Sequence, residues 1–166
     1  KKIKKKTCDY YILLAKNYFI LDNWNNVKKL LKSMRKCKNP EKQLLYAIYN
    51  LKRNLITKAQ KLINKNINLI VKNINEPFYK KFLYLNAEKL IYYGKYSYLL
   101  QVSKVLSENY KEDCDINSWY LIAKIRLGNY TNLDSIFKKV ENCKTKWALV
   151  ADNLYKDLLV ERRMRK

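Results

Sequence analysis

The chain has 166 residues and a net charge of +22, with 48% hydrophobic residues, no histidine, two glycines and two prolines. That length and apolar content suit one folded domain with a real core, and so little Gly and Pro leaves no turn punctuation for an all-β sandwich. The absence of histidine removes His-based triads and most catalytic zinc sites, and two isolated glycines cannot form a phosphate-cradling loop.

In chain order, the run Lys1 to Lys6 is basic and is not followed by a long apolar stretch, so no secretory leader is expected at this end. A first helix follows, with Tyr11, Leu14 and Ala15 on one face. A turn at Asp22 leads into a second helix bearing Val27, Leu31 and Met34 at helical spacing. Pro40 closes this unit, and a weaker copy succeeds it, with Leu44 and Ala47 before Asn54 and with Ile56, Ala59 and Ile63 after it. A break is expected near residues 74–78, in "NINEP", with Pro77 at a helix boundary. Leu83 and Ala87 then precede Gly94, with Leu99 and Leu106 beyond. Gly128 comes 34 residues after Gly94 and is also followed two residues later by tyrosine, with Leu133 and Val140 in the places of Leu99 and Leu106. A last half-unit carries Trp147, Val150, Ala151 and Leu154.

These segments form a degenerate repeat in which Asp22, Asn54, Gly94 and Gly128 occupy one position, each at a sharp turn between two helices. Asp and Asn tolerate the left-handed backbone that glycine adopts freely, so the exchange is physically sensible. The cysteines share the register. Cys8 and Cys37 lie 14 residues before and 15 after Asp22, and Cys114 and Cys143 lie 14 before and 15 after Gly128. The start of a hairpin's first helix lies near the end of its second, which allows a disulfide in each pair. Without a leader, the reduced state is expected instead. The Gly128 unit is out of step: Trp119 and Ala123 fall two residues from the positions that match Tyr11 and Ala15.

The predicted architecture is therefore all-α, an α-solenoid of antiparallel helical hairpins over residues 9–160, flanked by basic tails at 1–8 and 161–166. The 34-residue spacing, the alanine-bearing first helix and the G-x-Y turn resemble the tetratricopeptide repeat (TPR) superfamily. Within it, "DYYILLAKNYFILDNWNNVKKLL", "EKQLLYAIYNLKRNLITKAQKLI", "YYGKYSYLLQVSKVLSENYKEDCDINSWYLIAKIRLGNYTNLDSIFKKV" and "KTKWALVADNLY" look like repeats of the cell-division-cycle TPR subunits of the anaphase-promoting complex. The resemblance implies a non-catalytic scaffold for protein–protein contacts inside a ubiquitin ligase, with no cofactor. It also implies a nuclear or cytoplasmic location, and a concave partner face formed by Lys16, Phe19, Tyr84, Glu88, Tyr92 and Arg126. This chain is much shorter than those subunits.

The charge supports a second reading. From Lys1 to Asn75 the only acids are Asp9, Asp22 and Glu41, while Lys28, Lys29 and Lys32 sit together on the second helix of the first hairpin. A helical-repeat RNA-associated protein, such as an organellar ribosome subunit, would use such lysines on phosphate, and Trp24, Trp119 and Trp147 could stack on bases. Lysine far outnumbers arginine, however, and Asn, Ile and Tyr are abundant, which also fits a coding-composition bias with solvated lysines. At helical spacing the tryptophans are expected in the core. No segment is apolar over the roughly 20 residues a membrane helix needs.

Overall fold

A computed structural model describes residues 5–164, and among them it contains ten helices and no strand. These are α1 (Lys5–Ile20), α2 (Trp24–Ser33), α3 (Pro40–Lys52), α4 (Ile56–Lys65), α5 (Ile67–Asn73), α6 (Pro77–Tyr92), α7 (Tyr96–Asn109), α8 (Cys114–Arg126), α9 (Leu133–Phe137) and α10 (Lys146–Met164). Of the two basic tails, residues 1–4, 165 and 166 lie outside the described residues. Residues 5–8 open α1, and 161–164 belong to the end of α10. None of the described helices is long and apolar enough to cross a membrane.

The turn position read from the sequence has one conformation in all four copies. Asp22, Asn54, Gly94 and Gly128 have φ of 58°, 59°, 64° and 69°, the left-handed region. Each is the second residue past a helix, and each turn closes with the same pair of backbone bonds. The N–H groups of Asn23, Leu55, Lys95 and Asn129 donate to the carbonyls of Tyr18, Asn50, Leu90 and Lys124 at 2.8–2.9 Å. The N–H groups of Asp22, Asn54, Gly94 and Gly128 donate to Phe19, Leu51, Ile91 and Ile125 at 3.0–3.1 Å. This is the Schellman arrangement, which satisfies helix-end carbonyls that would otherwise lack donors. A Cβ added at Gly128 would meet open space, so the constraint there is the dihedral and not room. In the first three turns the residue after the left-handed one already accepts the first bond of the next helix, Asn23 from Val27, Leu55 from Ala59 and Lys95 from Leu99. A hairpin with almost no loop results.

The described residues divide into two compact units, one up to residue 89 and one from residue 90. In unit 1, α1 packs on α2 and α3 on α4, and α3 also touches α1 and α2. The residues seven before each turn, Ala15, Ala47 and Ala87, are buried, as are Val27, Leu31, Met34, Ala59 and Ile63 on the second helices. Small side chains there let the helices approach closely. Each fully buried Leu, Ile or Phe nearby contributes about 1.5–3 kcal/mol. Phe78 meets Phe19 edge-on at 5.7 Å and lies parallel to Phe82 at 6.4 Å, which fastens α6 to α1. Pro40 and Pro77 each open a helix, where a missing N–H costs nothing, and Asn39 caps α3 by accepting from the Glu41 N–H at 2.8 Å. The short α5 was not expected from the sequence. It fills the long interval between Asn54 and Gly94, and residues 74–76 link it to α6.

In unit 2, α8 is central and packs on α7, α9 and α10. Asp113 caps it by accepting from Ile116 N–H at 2.9 Å. Its hairpin is the irregular one. A second left-handed residue, Asn132 at φ 56°, precedes an α9 of only five residues, yet Leu133 and Val140 are still buried at the predicted positions. Leu121, not alanine, occupies the place of Ala15, which is why Trp119 and Ala123 looked out of step. Phe137 stacks on Tyr155 at 4.2 Å, tying α10 to α9.

The cysteines correct one expectation. Cys8 is bonded to Cys37 in unit 1 and Cys114 to Cys143 in unit 2, with Cα–Cα distances of 5.6 and 5.9 Å. The hairpin brings its first and last turns within bonding reach, and the backbone separation fits a disulfide without movement. The argument for free thiols had rested on the lack of a leader in the residues given, which says nothing about geometry.

Candidate functional site

The most distinctive surface feature of unit 1 is a groove of about 590 Å³ beside α2 and α3, lined by Asn25, Lys28, Lys29, Leu31, Lys32, Arg35, Tyr46 and Tyr49. Its chemistry follows from the register of α2. Val27 and Leu31 point inward and are buried, so Lys28, Lys29 and Lys32 necessarily fall outside that stripe and are exposed. Arg35, just past the helix, extends the row. Leu31 forms an apolar floor, and α3 supplies two tyrosines from positions one turn apart.

No carboxylate lines the groove. Among the described residues, none of its four cations is held in an ion pair. Both tyrosines are already engaged. The Tyr46 hydroxyl donates to the Leu31 carbonyl at 3.3 Å, and the Lys42 ammonium lies 5.7 Å from its ring. Tyr49 stacks on Trp24 at 6.2 Å and carries the Arg53 guanidinium at 5.4 Å. The groove therefore offers positive charge on a rigid wall. Its rings are committed to holding that wall.

Of the six residues expected on a partner face, Lys16, Phe19, Tyr84 and Glu88 lie in unit 1, and Tyr92 and Arg126 in unit 2. Lys16 is drawn inward, donating to Glu41 Oε2 at 2.6 Å and Glu76 Oε2 at 3.3 Å, and it sits 5.2 and 5.3 Å from the rings of Phe78 and Tyr79. Tyr79 also donates to Glu41 at 3.0 Å. Burial, and then the Glu41 carboxylate beside it, pushes the Tyr79 phenol well above its ordinary value. Phe19 is buried against Phe78. Both residues join α1 to the rest of unit 1 and neither is on offer to a partner. Tyr84 and Glu88 are exposed on α6, and Tyr92 is exposed at that helix's end. Arg126 is exposed in unit 2, where it lines a hollow of about 350 Å³ with Ile125, Tyr130, Leu154, Asp157, Leu158 and Glu161. Asp157 and Glu161 there outnumber Arg126, the one cation in the lining, so that hollow is not a basic one. Trp119 and Trp147 are buried, in line with the core expectation, and Trp24 is spent on Tyr49.

Sequence reasoning placed Lys28, Lys29 and Lys32 on one helix but missed Arg35, Tyr46 and Tyr49. The two tyrosines stand next to buried Leu45 and Ile48 in a continuous apolar run, and nothing in that run marks which residues reach the surface.

Among the described residues, no group of three or more His, Cys, Asp or Glu side chains is placed to hold a metal ion. Lys124 is buried in unit 2, where its ammonium donates to Thr131 Oγ1 at 3.0 Å. Desolvation, with Lys104 nearby, lowers its pKa. No family model, curated protein or solved structure matches this chain.

Proposed function

We propose that this chain is a non-catalytic helical-repeat module of TPR type, stacking hairpins to present rigid surfaces to another macromolecule. The observation that carries the reading is the fourfold recurrence of one Schellman turn at the repeat position, with the same buried positions around it. Such hairpins bury their shared faces against one another and leave side chains of their outer faces for recognition. A binding role without chemistry is further supported by the lack of histidine and by the engagement of all four cysteines in disulfides, which leaves no thiol nucleophile.

The disulfides also bear on where the module works. Bridges of this kind persist in oxidising compartments and are rare where thioredoxin and glutathione keep thiols reduced. We therefore place the chain's working environment outside the reducing cytosol and nucleus. That setting does not suit a subunit of the anaphase-promoting complex.

The test is affinity capture of the tagged chain from its own cells, without reductant, washed in moderate and then high salt with nuclease-treated controls. A fixed set of partners retained through high salt and nuclease supports the module reading. RNA or ribosomal proteins lost on either treatment would favour the RNA-associated reading that the lysines of α2 suggest.

A further inference from the structure

We propose that the groove between α2 and α3 binds a sulfated polysaccharide. The inference rests on the reading of the chain as a binding module and names what its first hairpins recognise.

The first argument is charge density. Lys28, Lys32 and Arg35 recur at helical spacing with Lys29 beside them, so four cations lie along about 10 Å of chain axis at the α-helical rise. The groove is open and holds no carboxylate, which suits a linear polyanion lying along it. An extended acidic peptide advances about 3.3–3.6 Å per residue and turns alternate side chains away, so its same-face carboxylates stand about 7 Å apart. It would present two charges to four cations. A polysaccharide with several sulfates per repeat presents more, and they project from more than one side.

The second argument separates this ligand from single-stranded RNA. Sequence-tolerant RNA binding relies on free aromatic faces on which bases stack. Here Tyr49 is covered by Trp24 and Arg53, and the Tyr46 ring is occupied by Lys42 while its hydroxyl is tied to Leu31. Lysine, three of the four cations, is a mobile point charge that suits scattered sulfates more than the fixed fork geometry arginine brings to phosphate. The third argument is compartment: the two disulfides suit the oxidising side of the membrane, where sulfated polysaccharides are displayed.

The experiment titrates the full oxidised chain with a heparin oligosaccharide of defined length by calorimetry, alongside N- and O-desulfated heparin, poly-glutamate and poly-uridine. The variant Lys28→Gln/Lys32→Gln is compared with Lys58→Gln/Lys61→Gln, which removes the same charge from exposed positions on α4. Circular dichroism melts check that both variants fold. The groove variant is expected to weaken heparin binding about tenfold, as the loss of two accessible charge contacts implies, and the α4 variant less than about twofold. Desulfated heparin, poly-glutamate and poly-uridine should each bind at least about tenfold more weakly than heparin. Equal losses in the two variants would overturn the proposal by showing attraction to net charge alone. Tighter binding of poly-uridine or poly-glutamate would overturn it in favour of RNA or an acidic protein. No heparin binding by a chain that still captures its salt-resistant partners would overturn it while leaving the module reading intact, and loss of both would remove the two together.

Discussion

Each disulfide closes a loop of 29 residues around one hairpin. In the chain-entropy account, closing that many residues removes about 12 cal/mol/K from the denatured ensemble, or about 3.6 kcal/mol at 25 °C for each bridge. A domain of this size is stable by only about 5–15 kcal/mol, so a bridge supplies a large share. For a unit of 60–100 residues, each kcal/mol moves the melting temperature by about 4–8 °C, which predicts a drop of about 15–30 °C when a bridge is removed. The assay begins with alkylation and mass spectrometry of chain purified without reductant, which should find no free thiol. Melts by circular dichroism then compare the oxidised chain, the chain in a phosphine reductant, and the variants Cys8→Ala/Cys37→Ala and Cys114→Ala/Cys143→Ala. Because the bridges lie in different units, each variant should lower one transition and the reductant should lower both. Four alkylated thiols in the native chain, or melts that coincide with and without reductant, would refute the argument.

Three other outcomes follow from the side-chain geometry. Lys16→Met strands Glu41, Glu76 and Tyr79 around a missing charge; since Lys16 and Glu41 keep 13% and 25% of their side-chain exposure, the cost in a urea titration should be about 2–3 kcal/mol, below that of a fully buried pair. At the first turn, Asp22→Val should cost about 1–2 kcal/mol because a branched side chain resists φ of 58°, whereas Asp22→Gly should stay within about 0.5 kcal/mol as the relaxed backbone offsets the lost Lys81 contact. Tyr155 donates to Asp134, and that bond, then burial, raises its pKa to about 12. A raised folded-state pKa gives stability that is complete below the unfolded value near 10 and is lost as pH rises through about 12, so wild type should lose stability over this window relative to Tyr155→Phe in paired thermal melts.

The four turns were legible because a left-handed dihedral restricts residue choice to Gly, Asn and Asp, and in three of the four copies a buried alanine stands seven residues before the turn. The buried stripes of α2 and α4 were legible for a related reason, since they alternate cleanly with lysine. The irregular Gly128 hairpin was harder to read. Asn132 provides a second bend that shortens α9, and an Asn in "NYTN" carries no mark that distinguishes a left-handed residue from an ordinary loop residue. The surroundings of Lys16 and Phe19 were hard to read for another reason. Repeat geometry alone places Lys16 and Phe19 on a concave face, but residues 76–78 return to α1 and engage them, with Phe78 on Phe19 and Glu76 on Lys16. The fate of Lys16 depended on a contact 60 residues away. The oxidation state of the cysteines was ambiguous in sequence, although their equal placement about two turns was already visible.

At the two turns that lack glycine, lysines on α6 bind the turn residue. Lys81 donates to Asp22 Oδ1 at 2.6 Å and Lys89 to Asn54 Oδ1 at 2.9 Å, so these side chains are tethers as well as tolerable turn residues.

The bridges have a mechanical consequence. A chain pulled from its two ends cannot extend the segments between Cys8 and Cys37 or between Cys114 and Cys143, each 29 residues in sequence separation. At about 3.5 Å per residue, each bridge hides about 100 Å of contour length. Under tension the chain would yield where it is unbridged, in α3 to α7 and in α10, while the two bridged segments would stay shut. In a single-molecule stretch the hidden length would appear as two equal steps, released only when a reductant reaches the sulfurs.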